Sequence, residues 1–148
     1  MAGFIEQQVG IQRPIAWLDR LEALAVIATV NFMRRETKLG RVGAGPLIDL
    51  SIIALAISVA LMAHLIDIAI WAVLFLVCGE FPNFGIAYYH SAVNHTTLGY
   101  GDVLMTPAWR LLGPLEAANG MLMFGVSTAI IFAVMQRMVQ ARYADLRD

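Results

Sequence analysis

The string Thr96-Thr97-Leu98-Gly99-Tyr100-Gly101-Asp102 reads as extended backbone that offers its own carbonyl oxygens to a ligand. Glycine at 99 and 101 permits φ values that a Cβ penalises, so successive carbonyls can turn to one side. A column of such oxygens, completed by a threonine hydroxyl, replaces the hydration shell of a cation when several chains contribute around an axis. Taken alone, the same composition also fits a glycine-rich surface turn. The flanks decide between the two.

The flanks are those of a membrane protein. The chain has 148 residues, enough for one domain, and 59% of them are apolar against 14% charged. With a mean hydropathy of +0.71, that balance belongs to the membrane class, because a soluble chain of this size would aggregate. A net charge of −1 gives no reason to expect a nucleic-acid partner. The single cysteine, Cys78, excludes an intrachain disulfide framework. Met1 to Gly10 lacks a basic stretch leading into an apolar run, so no cleaved signal peptide is expected and the first apolar segment should remain as an anchor.

Two segments are long enough to cross a bilayer, for which about 20 apolar residues suffice. Residues 47–78 form an outer helix interrupted by Asp49, His64 and Asp67; residues 111–135 form an inner helix that carries Glu116. Between them, Pro82, Gly85 and Pro107 break a segment too polar to span. Its 85–96 portion reads as a short re-entrant helix leading directly into residues 97–102. Non-helical backbone at membrane depth is tolerated only where protein or a water-filled cavity surrounds it, a condition met when several copies close around an axis.

Arg34, Arg35, Lys38 and Arg41 precede the first span, and Arg137, Arg142 and Arg147 follow the second; Arg110 is the basic residue between. The positive-inside rule therefore places both termini in the cytoplasm, in a multi-pass protein of the cell inner (plasma) membrane. Residues 1–46 form an N-terminal cytoplasmic or interfacial segment, and 139–148 a cytoplasmic tail. Within the former, Pro14, Asp19 and Glu22 suit a helix start, while Trp17, Leu18, Leu21 and Leu24 recur at helical spacing. An amphipathic helix over 11–33 lying at the inner interface is expected in preference to a third span. No arginine recurs at every third position there, so it is not a voltage sensor.

From Leu47 to Met138 the chain resembles the pore domain of bacterial two-transmembrane potassium channels. The resemblance rests on the 96–102 string, on Ala87-Tyr88-Tyr89-His90-Ser91-Ala92-Val93-Asn94-His95 in the pore-helix register, and on Gly120-Met121-Leu122-Met123-Phe124-Gly125-Val126-Ser127-Thr128-Ala129 in the inner helix. It implies an all-α membrane fold with an outer helix, a re-entrant pore helix with selectivity filter and an inner helix, assembled as a homotetramer in the lipid bilayer. It implies K+ as the permeant ion, held by Thr97, Leu98, Gly99, Tyr100 and Gly101. Thr96, His95 and Asp102 would support that filter, and Tyr88, Tyr89 and His90 would form an aromatic cuff around Tyr100. Gly120 would act as a hinge or a packing glycine, and Gly125 follows it in the family's Phe-Gly pair. Phe124, Thr128 and Phe132, at i, i+4 and i+8, would line the cavity.

Two departures stand out. Many relatives carry a pore-helix glutamate where this chain has Val93, which removes a partner from Asp102; Tyr89 can donate to it instead. His95 is also unusual at its position. Four ionisable groups lie at membrane depth: Asp49, near the inner boundary, is expected as an interfacial or N-cap residue, while His64, Asp67 and Glu116 need partners, since an intramembrane ionisable residue is either structurally paired or functional. His64 and Asp67 lie one turn apart and can face each other, and Glu116 is at a depth where a pore-helix group such as His95 can meet it. The expected function is passive potassium permeation. The alternatives are a weakly selective cation channel, or a non-conducting or regulatory pore subunit on the same scaffold. No nucleophile–base pair, metal-ligand cluster or phosphate loop marks an enzyme or a soluble substrate.

Overall fold

The protein's structure, a computed structural model, describes residues 45–145 together with Ile27, Asn31, Arg35 and Lys38. Those four are helical; otherwise the helix expected over 11–33 lies outside the described residues. Helix α1 is Pro46–Val77, α2 is Phe84–His95 and α3 is Leu112–Asp145.

Each boundary has a local cause. Proline opens α1, where a missing N–H costs no helical hydrogen bond, and Asp49 sits in the first turn, on the positive end of the helix dipole. The helix stops at Gly79, whose φ of +74° reverses the chain. There the Gly79 N–H donates to the Leu76 carbonyl at 2.9 Å and the Glu80 N–H to Phe75 at 3.1 Å, the paired bonds of a Schellman ending. Helix α2 starts at Asn83, whose extended backbone lets its side chain accept from the Ile86 N–H at 3.0 Å.

Helix α3 continues well past the expected end at Met135, and so takes in most of the segment assigned as a tail. Gln136 to Asp145 contains no glycine or proline and is rich in good helix formers. Loss of hydropathy ends a membrane span but not a helix.

Pro46–Val77 and Leu112–Gln140 are long and apolar enough to cross a membrane, with only 28% and 17% of their most apolar windows buried inside the chain. A soluble domain would hide such helices in its core, so these apolar faces belong against lipid or other copies of the chain.

The chain divides into two compact units. The first, in its described part, is His64–Met123. Its core joins Trp71, Ala72 and Phe75 of α1 to Phe81, to Ala87 of α2 and to Leu112 of α3. The second, in its described part, takes in residues 45–63 and 124–145 together with Ile27, Asn31, Arg35 and Lys38, and there Ile52 packs with Val134 and Met138.

Candidate functional site

The string after α2 is built on an alternation of backbone handedness. Thr97, Gly99 and Gly101 have φ of 60°, 58° and 72°, while Leu98 and Tyr100 between them stay in the ordinary negative range. Reversing handedness at every second residue cancels the pleat that points successive carbonyls to opposite sides. The carbonyls can then line one face. Glycine takes this φ freely at two of the three positions; at Thr97 a β-branched residue does so against its preference, which composition alone did not signal.

The first amides of the string are tied back to α2. Thr96 N–H donates to Ala92, Thr97 N–H to Asn94, and the N–H groups of Leu98 and Gly99 both reach the Val93 carbonyl, at 3.0 and 3.3 Å. Among the described residues, no backbone N–H donates to the carbonyls of Thr97, Leu98, Gly99 or Tyr100. A run of unengaged carbonyls on backbone anchored from behind can offer its oxygens to a cation.

The far end of the string is braced by side chains. Tyr89 donates from its hydroxyl to Asp102 Oδ2 at 2.7 Å, which holds the Asp102 carboxyl below the usual carboxylate range and raises the Tyr89 phenol above its own. Val93 is buried and leaves Asp102 without a pore-helix acid. His90 Nδ1 lies 3.0 Å from the Val103 carbonyl and Nε2 lies 2.9 Å from the Asn94 amide nitrogen. One tautomer satisfies both contacts: Nδ1–H donates to the carbonyl and bare Nε2 accepts from the amide. Rings of Phe75 and Phe81 enclose His90, and burial lowers its affinity for a second proton. Glu80 accepts from the backbone and hydroxyl of Thr106, each at 2.6 Å, and so ties the loops on either side of the string.

Behind α2 lies a buried polar layer. His95, 0% exposed, stands between the two α1 groups that were expected to face each other. Its Nδ1 is 3.2 Å from Asp67 Oδ2 and its Nε2 is 3.2 Å from His64 Nδ1. Asn119 of α3 donates to the same Asp67 oxygen at 3.2 Å. Glu116 meets Ser91, a pore-helix group of α2, and Ser91 also reaches the Ile68 carbonyl of α1 at 2.8 Å. Hydrogen bonds between helices in lipid contribute only ~0.6 kcal/mol on average, whereas an isolated aspartate at membrane depth costs ~2.5–3.5 kcal/mol on the insertion scale. Avoiding that penalty outweighs the gain from any one bond.

Gly120 lets α3 close on this layer. A Cβ there would stand 2.1 Å from the His95 carbonyl oxygen, so at Gly120 the structure displays a close approach of two backbones.

Other expected residues are not brought together within one chain. Tyr100 is 67% exposed and Tyr88 stacks on Phe84. With His90 enclosed by phenylalanines, a cuff of Tyr88, Tyr89 and His90 around Tyr100 is not formed among the described residues of a single chain. In the second unit, Phe124 and Phe132 are exposed, Thr128 donates to the Phe124 carbonyl at 2.8 Å, and Gly125 faces open space.

Ser91, Asn94, Asn119 and the Glu80–Thr106 pair were not anticipated. A signal for Asn119 was available, since it follows Glu116 at i+3 on the helix face that also carries Gly120.

Residues 59–137, just over half of the chain, match a family described as Ion channel. Comparison with curated proteins and with solved structures finds no match.

Proposed function

This chain belongs to the ion channel family, and from that premise we propose that it forms a potassium-selective pore from four identical copies. Its all-helical fold, with two membrane-crossing helices, is that of a two-transmembrane pore-loop channel, and it resides in a membrane. The observation that carries the finer reading is the set of unengaged carbonyls from Thr97 to Tyr100 on backbone of alternating handedness.

Four such strings around an axis would stack rings of oxygens, with the Thr97 hydroxyl closing the inner end. The permeant potassium ion exchanges water for these oxygens as it enters and recovers water as it leaves. The partial negative charge at the C-terminal end of α2, near Thr96, favours a cation approaching the string. Phe124, Thr128 and Phe132 are assigned to the face of α3 that lines the water-filled path, and both termini to the cytoplasmic side of the plasma membrane.

The test is purified protein in planar lipid with potassium on one side and sodium on the other. A reversal potential displaced far from zero, with the potassium side negative, is expected. A value near zero favours the weakly selective channel, and no current from the protein alone favours a subunit that requires a partner pore. Gly99→Ala places a Cβ on a residue at φ +58° and should abolish the current while leaving membrane insertion intact. A variant that still passes potassium selectively would sink the assignment of the string.

A further inference from the structure

Ser91 poses a problem of proton counting. Its hydroxyl has one hydrogen, yet it lies within hydrogen-bonding distance of two acceptors, the Ile68 carbonyl and the Glu116 carboxyl. If Ser91 gives its hydrogen to Ile68 and Glu116 is ionised, a carboxylate oxygen presses on the lone pairs of Ser91. If it gives the hydrogen to Glu116, its lone pairs press on the carbonyl. A second proton, carried by Glu116, removes the conflict. Glu116 then donates to Ser91 Oγ, and Ser91 donates to Ile68.

The surroundings agree. Glu116 is 0% exposed. From α1 the ionisable group beside it is Asp67, another acid. The histidines of α2 are committed elsewhere, His95 to Asp67 and His64 and His90 to Val103 and Asn94. No cation on these elements balances a charge at Glu116, and a buried charge without a partner neutralises itself.

The Asn94 side chain stands near Glu116, whose Oε2 is buried and makes no hydrogen bond among the described residues, and the Asn94 amide donates to His90. Hydrogen bonds therefore join Ile68 on α1 through Ser91 to Glu116, and Asn94 through His90 to Val103, the residue after the string, with Ser91, Asn94 and His90 all on α2. We infer that Glu116 is held as a neutral carboxylic acid whose proton is donated to Ser91, and that it is a positioning residue for the ion-binding string. Its part in positioning rests on the proposed channel function; its protonation does not. This assigns to the inner helix a support for the string from behind, at a site reached through tertiary contact and not from the pore helix.

Infrared spectroscopy of the membrane-reconstituted protein at neutral pH tests the protonation directly. A carbonyl stretch of a protonated carboxyl group should be present, should disappear in Glu116→Gln and should persist in Asp67→Asn. Absence of that band, or its loss only in Asp67→Asn, overturns the inference. In Ser91→Ala the band should move to the higher frequency of an acid without an acceptor, a check that stands even if Glu116→Gln assembles poorly; an unmoved band counts against the Ser91 bond.

Positioning is tested by potassium-dependent thermal stabilisation. Glutamine keeps a donor for Ser91, so Glu116→Gln should melt with the parent's potassium dependence, and Glu116→Ala should lose most of it. Glutamine behaving like alanine overturns the positioning role. A parent that shows no stabilisation by potassium would instead undermine the channel reading, while the infrared band would still decide the proton.

Discussion

Tyr89 and Asp102 show how one side-chain bond can set the acid tolerance of the string's far end. The phenol donates to the carboxylate and holds its pKa down. A depressed carboxyl contributes stability that is fully present above its ordinary titration range and is lost as pH falls through the lowered value. The raised Tyr89 phenol works in the opposite sense, its donation persisting through neutral pH and ending only as pH rises beyond the ordinary tyrosine range. Tyr89→Phe should therefore raise the Asp102 pKa toward the ordinary carboxylate range, measured by nuclear magnetic resonance titration of labelled aspartate. An Asp102 titration unchanged by the substitution would rule out this bond. The residue types made the pairing conceivable, since Val93 left Asp102 without an acid partner. Which donor filled the gap depended on the fold bringing residues 89 and 102 together.

Gly120 and Gly125 separate two reasons for glycine within one helix. At Gly120 the obstacle to a Cβ is the His95 backbone at 2.1 Å, which has no flexible side chain to move aside. Gly120→Ala should destabilise the assembled protein by ~1–3 kcal/mol or more, the range for overpacking, seen as a lower melting temperature. At Gly125 nothing lies within 4 Å in the single chain, so alanine there should be neutral or stabilising by up to about 1 kcal/mol through helix propensity. Equal losses at both positions would contradict the close approach. The sequence pattern singled out both glycines without telling them apart, because helical periodicity reports a face and not what stands opposite it. The ends of α1 and the start of α2 have nearer causes, since Pro46, Gly79 and Asn83 act through the chain immediately beside them, whereas the end of α3 was not legible in hydropathy.

A single copy of this molecule leaves its apolar helix faces and its string of carbonyls unsatisfied. Tyr100, Phe124 and Phe132 are exposed in the lone chain, and carbonyls at membrane depth need partners. Assembly resolves both shortages at once. Native mass spectrometry from detergent or nanodiscs should therefore show a tetramer as the dominant species. Monomers or dimers alone, under conditions that preserve other channels, would remove the basis for a closed ring. Four-fold closure belongs to the proposed carbonyl cage, and composition by itself says only that a membrane protein is present.

The amino-acid sequence determined the membrane class, two spanning helices with a broken segment between them, and a backbone string suited to a cation. All of these depend on local properties: hydropathy summed over a helix, the φ freedom of glycine, and the breaking effect of proline. Tertiary structure alone decided which polar side chain met which. His64 and Asp67 share a turn of α1, yet it is His95 from α2 that connects them. Glu116 might equally have faced lipid, a histidine or the string, and it met Ser91. Hydrogen bonds act over about 3 Å, so their partners are chosen by how three helices pack, a quantity no periodicity along the chain contains.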